Sequence, residues 1–256
     1  MSCIVEPEVY IVSMPKLDDV GLSSYLESIG ADDWESNAAS DSLELMEIGG
    51  RVCYRSFGSN LNKNLTRVRD DNAEYLRNII KSGHGRILEH VNIGFVFHNI
   101  SRVVTHELIT HKAGTTQSQE SLRFVRLDEL RVYLPEVFKK YNFNEYFLEK
   151  MSILESWQRE MAEMFDLDTK SFAEKKIITS AMRRLAPMGL ATTVMWTANL
   201  RTIRHVLEQR TSIHAEEEIR DLFHKVGNLM IYHFHEVFSD FTVDERKQWT
   251  SEYSKV

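Results

Sequence analysis

Residues 90–98 read His-Val-Asn-Ile-Gly-Phe-Val-Phe-His, with Val91, Ile93, Phe95 and Phe97 at alternate positions. A period of two puts these four apolar side chains on one face of a β-strand. The chain around them repeats with a helical period instead. Residues 43–55 and 67–82 precede the strand, and residues 101–112 follow it with Val103, Val104, Leu108 and Ile109 at helical spacing. Residues 141–165 and 168–185 are amphipathic and split near 166–169, Pro187 and Gly189 break the second of them, and residues 199–210 and 215–238 are helical again. With four prolines in the whole chain, long helices are permitted. Residues 122–127 predict a second, short strand, and the polar, acidic stretch 28–42 a loop or insertion. An apolar strand face among helices has to be covered by them. The pattern therefore predicts one α+β domain over residues 1–256, with a sheet in the middle of many helices.

Composition narrows the class of function. At 43% hydrophobic and 27% charged residues the chain reads as globular and soluble. Its net charge of −7 argues against binding a nucleic acid polymer, and leaves room for a local basic pocket that takes a nucleotide. Two cysteines, Cys3 and Cys53, are too few for a disulfide framework, so a reducing, cytoplasmic setting is expected. No basic start with an apolar run marks a signal peptide, and no apolar stretch approaches the roughly 18 residues of a membrane span.

The chemistry concentrates in residues 110–124, Thr-His-Lys-Ala-Gly-Thr-Thr-Gln-Ser-Gln-Glu-Ser-Leu-Arg-Phe. This stretch is too polar for a core and starts at the end of an apolar helix, which suits a pocket for an anionic, hydrogen-bonding ligand. On the helix at 199–210, Leu200, Ile203 and Leu207 form an apolar stripe from beside which Arg210 projects. About 1100° of helical rotation separates Asn199 from Arg210, so the two point nearly the same way. An arginine beside an apolar stripe needs a partner: either a carboxylate such as Glu216 or Glu217, or an anionic ligand. Arg183 and Arg184 suit a helix C-terminus, and Lys176, Thr179, Ser180 and Arg183 share a face that reads as solvent surface.

Other chemistries find no motif. His84, His90, His98, His106 and His111 are spaced 6, 8, 8 and 5 residues apart, unlike the tight pairs of zinc sites, and no metal is expected. His90 and His98 would share a strand face. Cys53 lies in a helical run with no histidine at helical spacing and reads as a small buried hydrophobe. Ser121 lacks a nucleophile elbow, and no P-loop or Rossmann glycine pattern is present. A flavin or nucleotide would be held by scattered Arg, His and Asn side chains.

Several blocks resemble the flavin-dependent thymidylate synthases. Residues 110–124 resemble that family's signature of Arg-His-Arg followed by Ser/Asn-Glu-Ser-Arg-Tyr, with Thr110, Lys112 and Phe124 where Arg, Arg and Tyr are usual. Residues 82–90, Ser-Gly-His-Gly-Arg-Ile-Leu-Glu-His, resemble its early histidine block. Leu185-Ala-Pro187, Trp196 to Arg201, His205, Arg210 and residues 214–220 match its C-terminal block in order and spacing. The match spans roughly residues 43–237.

The resemblance implies a central, mainly antiparallel sheet surrounded by helices. It implies a site in which Arg86, Thr110, His111, Lys112, Glu120, Asn199, Arg201 and His205 hold FAD. Glu107, Glu120, Ser121, Arg123, Arg183 and Arg210 would hold dUMP, and Glu107 stands where glutamine is common. Arg210 would stabilise the ionised uracil N3, and His84 would sit near the flavin and the folate-binding surface. The implied reaction is reductive methylation of dUMP to dTMP, with methylenetetrahydrofolate as one-carbon donor, NADPH as reductant and a homotetramer as the working assembly. No enzyme nucleophile is required, in keeping with the absence of a motif for one. Two other outcomes share the resemblance: a pyrimidine-nucleotide hydroxymethylase, motivated by Thr110 and Lys112, and a non-catalytic nucleotide-binding paralogue. The presence together of Arg123, Arg183, Asn199, Arg201 and Arg210 argues against the paralogue.

Overall fold

The alternating segment becomes the second strand of a four-stranded antiparallel sheet. Val91, Ile93, Phe95 and Phe97 are all fully buried. The structure, a computed structural model, describes residues 3–58, 61–65 and 67–256. The expected extent of 1–256 thus includes Met1, Ser2, Ser59, Asn60 and Thr66, which lie outside the described residues. In chain order the elements are β1 (Cys3–Ile4), β2 (Glu8–Ser13), α1 (Asp19–Ser28), α2 (Asp41–Tyr54), α3 (Asn72–Lys81), β3 (Asn92–Ser101), α4 (Arg102–Leu108), β4 (Thr115–Gln119) and β5 (Arg131–Val132). There follow α5 (Glu136–Lys140), α6 (Asn144–Met164), α7 (Phe172–Met182), β6 (Ala191–Asn199), α8 (Leu200–Thr211), α9 (Glu217–His233), α10 (His235–Phe238), β7 (Phe241–Val243) and β8 (Trp249–Ser251).

The main sheet has the order β2-β3-β6-β4, every pair antiparallel. Phe95 sits opposite Trp196 and Phe97 opposite Val194, so the inward faces of β3 and β6 form one layer. Phe223 of α9 meets both Phe97 and Trp196 edge-on. Each such side chain removed from water contributes about 1.5–3 kcal/mol, and this layer with α8 and α9 is the main core. The other face of β6 is half open, with Met195 exposed. At the sheet's edge β4 reads Thr-Thr-Gln-Ser-Gln, polar throughout as an uncovered edge requires.

The expected central antiparallel sheet with surrounding helices is what forms; several local expectations do not. Residues 67–71 are not helical, because Asp71 caps α3 by accepting from Glu74 N. Residues 122–127 form a turn rather than a strand: Phe124 N and Val125 N both donate to Ser121 O, while Leu122 and Leu127 enter a small second core beside α6. The helix expected over 101–112 ends at Leu108, leaving Ile109 exposed. Phe234 divides the expected helix at 215–238 into α9 and α10. His90 closes a 3₁₀ turn, Gly85–His90, and shares no strand with His98. Cys53 is exposed on α2, not buried. Thr179 is buried and donates to Arg123 O at 2.6 Å, so its face of α7 is not plain solvent surface. Strand β6 lies outside the segments that show strand alternation, and Thr192, Thr193, Val194 and Thr197 give it a β-branched composition.

Candidate functional site

The polar stretch after α4 meets the start of α8. Asn199 ends β6 and caps α8, its side chain accepting from Thr202 N at 2.9 Å. Gly114 has φ +68, and a Cβ on it would stand 2.3 Å from Thr202 Oγ1 and 2.4 Å from Asn199 Nδ2, so only glycine lets this loop lie on the helix start. The loop and helix enclose a cavity of about 660 Å³ lined by Glu89, Thr110, His111, Lys112, Gly114, Asn199, Arg201, Thr202 and His205. Arg201 Nη1 donates to Glu89 Oε1 at 2.6 Å along its wall. His111 and His205 meet edge-on with ring centroids 6.5 Å apart.

Arg210 reaches the same loop from about three turns further along α8. Its Nε donates to His111 Nε2 at 2.7 Å and its Nη1 to Glu107 Oε2 at 2.7 Å. Its Nη2 donates to Glu107 O at 3.0 Å and to Thr110 Oγ1 at 2.9 Å. The carboxylate partner is therefore Glu107, not Glu216 or Glu217. To accept from Arg210, His111 Nε2 must be unprotonated. Burial, then Arg210 and His205, push the His111 pKa down to about 4, which keeps the ring neutral near pH 7.

The second half of the polar stretch lies at the far end of β4. Register places Thr115 opposite Ala198 and Gln119 opposite Val194, after which Glu120 N donates to Thr193 O. At about 3.3 Å per residue, roughly 16 Å of strand separates the two ends. Glu120 Oε2 accepts from Thr193 N at 3.3 Å, and Ser121 Oγ accepts from Arg123 N at 3.3 Å. Arg123 and Arg183 are exposed there. A residue that sequence reasoning missed completes this end: Arg102 donates to Glu120 O at 3.2 Å, and its buried Nε has no acceptor among the described residues. Burial, opposed by Glu120 and reinforced by the like charge of Arg183, pulls its pKa down. A lone arginine in the apolar run Ile100-Ser-Arg-Val-Val104 was the signal available for it.

Of the residues carried over from the resemblance, the structure brings Thr110, His111, Lys112, Asn199, Arg201 and His205 to one cavity, with Glu107 and Arg210 at its edge. Glu120, Ser121, Arg123 and Arg183 gather at the other end of β4. Arg86 is exposed and lines neither group. His84 stacks on Tyr54, with centroids 5.5 Å apart and planes 13° apart, beside a separate cavity of about 620 Å³. Among the described residues, no three His, Cys, Asp or Glu side chains come together as metal ligands.

A pocket built from a helix N-terminus, two cations and two imidazoles on an α+β scaffold has the donors that suit an anionic ligand. Residues 36–235 match the family described as "Thymidylate synthase complementing protein", and the chain belongs to that family. It is 31% identical over 229 residues to the flavin-dependent thymidylate synthase of Corynebacterium diphtheriae, covering 87% of this chain and 88% of that one. Against the enzyme of the same name from Mycolicibacterium vanbaalenii it is 32% identical over 214 residues, 81% of this chain and 83% of the other. For that of Mycobacterium tuberculosis the values are 31% over 204 residues, 78% and 79%.

Proposed function

We propose that this chain converts dUMP to dTMP by reductive methylation, with methylenetetrahydrofolate as one-carbon donor and FAD and NADPH as the source of hydride. The observation that carries the reading is the meeting of His111, Lys112, Asn199, Arg201 and His205 on one 660 Å³ cavity, with Arg210 clamped at its edge. The donor set fits FAD: Lys112, Arg201 and the N-terminus of α8 offer positive charge for a pyrophosphate, and the cavity falls within the range of small-molecule sites. Bound there, FAD supplies the hydride that NADPH provides.

The chain's own residues bind and orient. Lys112 and Arg201 hold the cofactor's anionic part, Arg201 exchanging some of its contact with Glu89 for it. Arg210 donates an N–H to the uracil ring and stabilises its ionised N3, since a guanidinium stays charged while the ring loses its proton. Arg123 and Arg183, with Ser121, take the nucleotide phosphate by charge-assisted hydrogen bonds. Glu120 orients from the same end.

The roughly 16 Å between these two groups on one chain supports a site completed by a second copy, and hence the homotetramer. A stripe of exposed Tyr146, Ile153, Trp157 and Met164 along α6 supports association as well. Two exposed free thiols, Cys3 and Cys53, favour a reducing cytoplasmic setting, and no helix among the described residues is long and apolar enough to cross a membrane.

The test is direct. The purified protein is titrated with FAD and assayed for dTMP from dUMP, methylenetetrahydrofolate and NADPH. A yellow, FAD-saturable protein that forms dTMP is expected. Failure to bind FAD sinks the reading, and a product heavier by one oxygen redirects it to a hydroxymethylase.

A further inference from the structure

Residue 110 follows α4 by two positions and is the first of the altered triplet Thr110-His111-Lys112. A threonine hydroxyl can donate one hydrogen bond and accept others, whereas a guanidinium only donates. Thr110 Oγ1 uses both capacities. It donates to Glu107 O at 2.7 Å and accepts from Arg210 Nη2 at 2.9 Å. The first bond alone is what a threonine near a helix end makes for local reasons. The second is not local, since Arg210 lies 100 residues away in the chain. An arginine at position 110 could not make it and would set a like charge against Arg210.

Arginine has five N–H groups. Those of Arg210 go to His111 Nε2, Glu107 Oε2, Glu107 O and Thr110 Oγ1. One N–H, on Nη1, is left without an acceptor among the described residues. A planar guanidinium held at its Nε and both terminal nitrogens cannot rotate about its long axis. Its rotamer entropy is lost in the folded protein, so binding a ligand does not incur that loss again.

We propose that Thr110 is a positioning residue. It takes the second N–H of Nη2, whose first goes to Glu107 O, so that a single Nη1–H is left to present to one acceptor atom of the pyrimidine ring, where Nη1 and Nη2 together would otherwise offer a two-point fork. The inference rests on the reading of Arg210 as the residue that holds the uracil. It makes residue 110, in this chain, a determinant of how tightly and in what register the base is held, rather than a ligand of the flavin phosphates. The neighbours that could substitute for it are already engaged. Glu107 is bonded through both its carboxylate and its carbonyl, and His111 through Nε2.

Thr110→Val keeps the shape and removes the hydroxyl; Thr110→Ser keeps the hydroxyl and removes the methyl. Both are made in the full chain and titrated with dUMP and with FAD by calorimetry, and the imidazole of His111 is titrated by NMR. For Thr110→Val a roughly tenfold loss of dUMP affinity is expected, the equivalent of one hydrogen bond to a charged group, with FAD affinity within about twofold. KM for dUMP rises more than kcat falls. The His111 titration rises by part of its depression as the Arg210 Nε contact loosens, while burial and His205 continue to hold it down. Thr110→Ser restores all three. Unchanged dUMP affinity in Thr110→Val, or Thr110→Ser as weak as Thr110→Val, overturns the proposal. If dUMP does not bind the unaltered protein, the functional reading fails, and an unmoved His111 titration in Thr110→Val then overturns the clamp as well.

Discussion

The two ends of β4 carry two kinds of arginine. At the end near α8, Arg210 is 18% exposed, and the chain itself supplies Glu107, His111 and Thr110 as partners. At the other end Arg123 and Arg183 are exposed, and their guanidinium groups have no partner among the described residues. The first arrangement is organised before any ligand arrives and can recognise an atom by position. The second offers bare charge, which suits a phosphate arriving from water and discriminates little. A third arginine, Arg204 on α8, shows what neither end is: 2% exposed and forked on Asp240 at 2.7 and 2.8 Å, it holds α8 to the C-terminal segment. One helix thus carries, six residues apart, an arginine buried in a structural pair and the arginine proposed to hold the base, and only burial and partner distinguish them.

The largest effect expected from breaking this contrast is at the organised end. Arg210→Ala abolishes turnover while FAD absorbance stays largely intact; near-normal dTMP formation in that variant would mean that the clamped arginine is structural, like Arg204. At the exposed end, Arg123→Ala and Arg183→Ala each raise KM for dUMP by about 10- to 100-fold, as loss of a charge-assisted phosphate contact does, with smaller changes in kcat and unchanged FAD binding. Steady-state kinetics with varied dUMP checks this, and a pure kcat effect would place these residues elsewhere in the mechanism.

A smaller effect tests the brace that the two ends share. Helix α4 runs from Arg102 at the exposed end to Glu107 at the organised end, and Ser101 caps it. Glu218 of α9 receives bonds from Ser101 N at 2.6 Å and from Ser101 Oγ. Burial raises the Glu218 pKa to about 7, against the opposing effect of the Ser101 bonds. The folded state then holds a proton that the unfolded state releases near pH 4.5, so the Glu218 contribution is complete below about 4.5 and is lost as pH rises through 7. Denaturant midpoints measured from pH 5 to 8 should fall more in the unaltered protein than in Glu218→Gln. Equal slopes would remove Glu218 from the account. His111 acts oppositely: its pKa, depressed to about 4, makes stability decline as pH falls from 6.5. The smallest effect is at Lys112. Lys112→Arg should hold FAD affinity or improve it about twofold by restoring a planar fork, and a large loss would show that Lys112 points its charge elsewhere.

Much of this was legible from residue order. The period-two run at 91–97 located β3, the caps and breakers located α6, α7 and α8, and the blocks around 110–124 and 185–220 supplied most residues of the candidate cavity, while His84 and Arg86 of the block at 82–90 lie away from it. What was not legible was pairing. Residues 122–127 have a strand's composition, yet Leu122 and Leu127 serve a local core and the backbone turns on Ser121. The strand that does pair with β6 is the polar 115–119, which no hydrophobic pattern marks. Cys53 sits in a helical run whose buried face became known only when α2 packed against α3. No local pattern assigns a role to Arg102, because its neighbours Glu120 and Arg183 are distant in sequence.

The sequence by itself determined the helices, the central strand, the family, and the residue types available to the pocket, because periodicity, capping and motif order are short-range or countable properties. Which side chain answers which was decided by the tertiary structure. Arg210 has Glu216 and Glu217 only six and seven residues away, yet Glu216 caps α9 by accepting from Glu218 N and Ile219 N, and Glu217 receives Tyr133 and Glu136. The carboxylate that Arg210 finds is Glu107, 103 residues earlier, brought to it by packing of α4, α8 and α9 over the aromatic face of the sheet. Burial of that face selects which helices touch, and partners follow from contact rather than from separation along the chain.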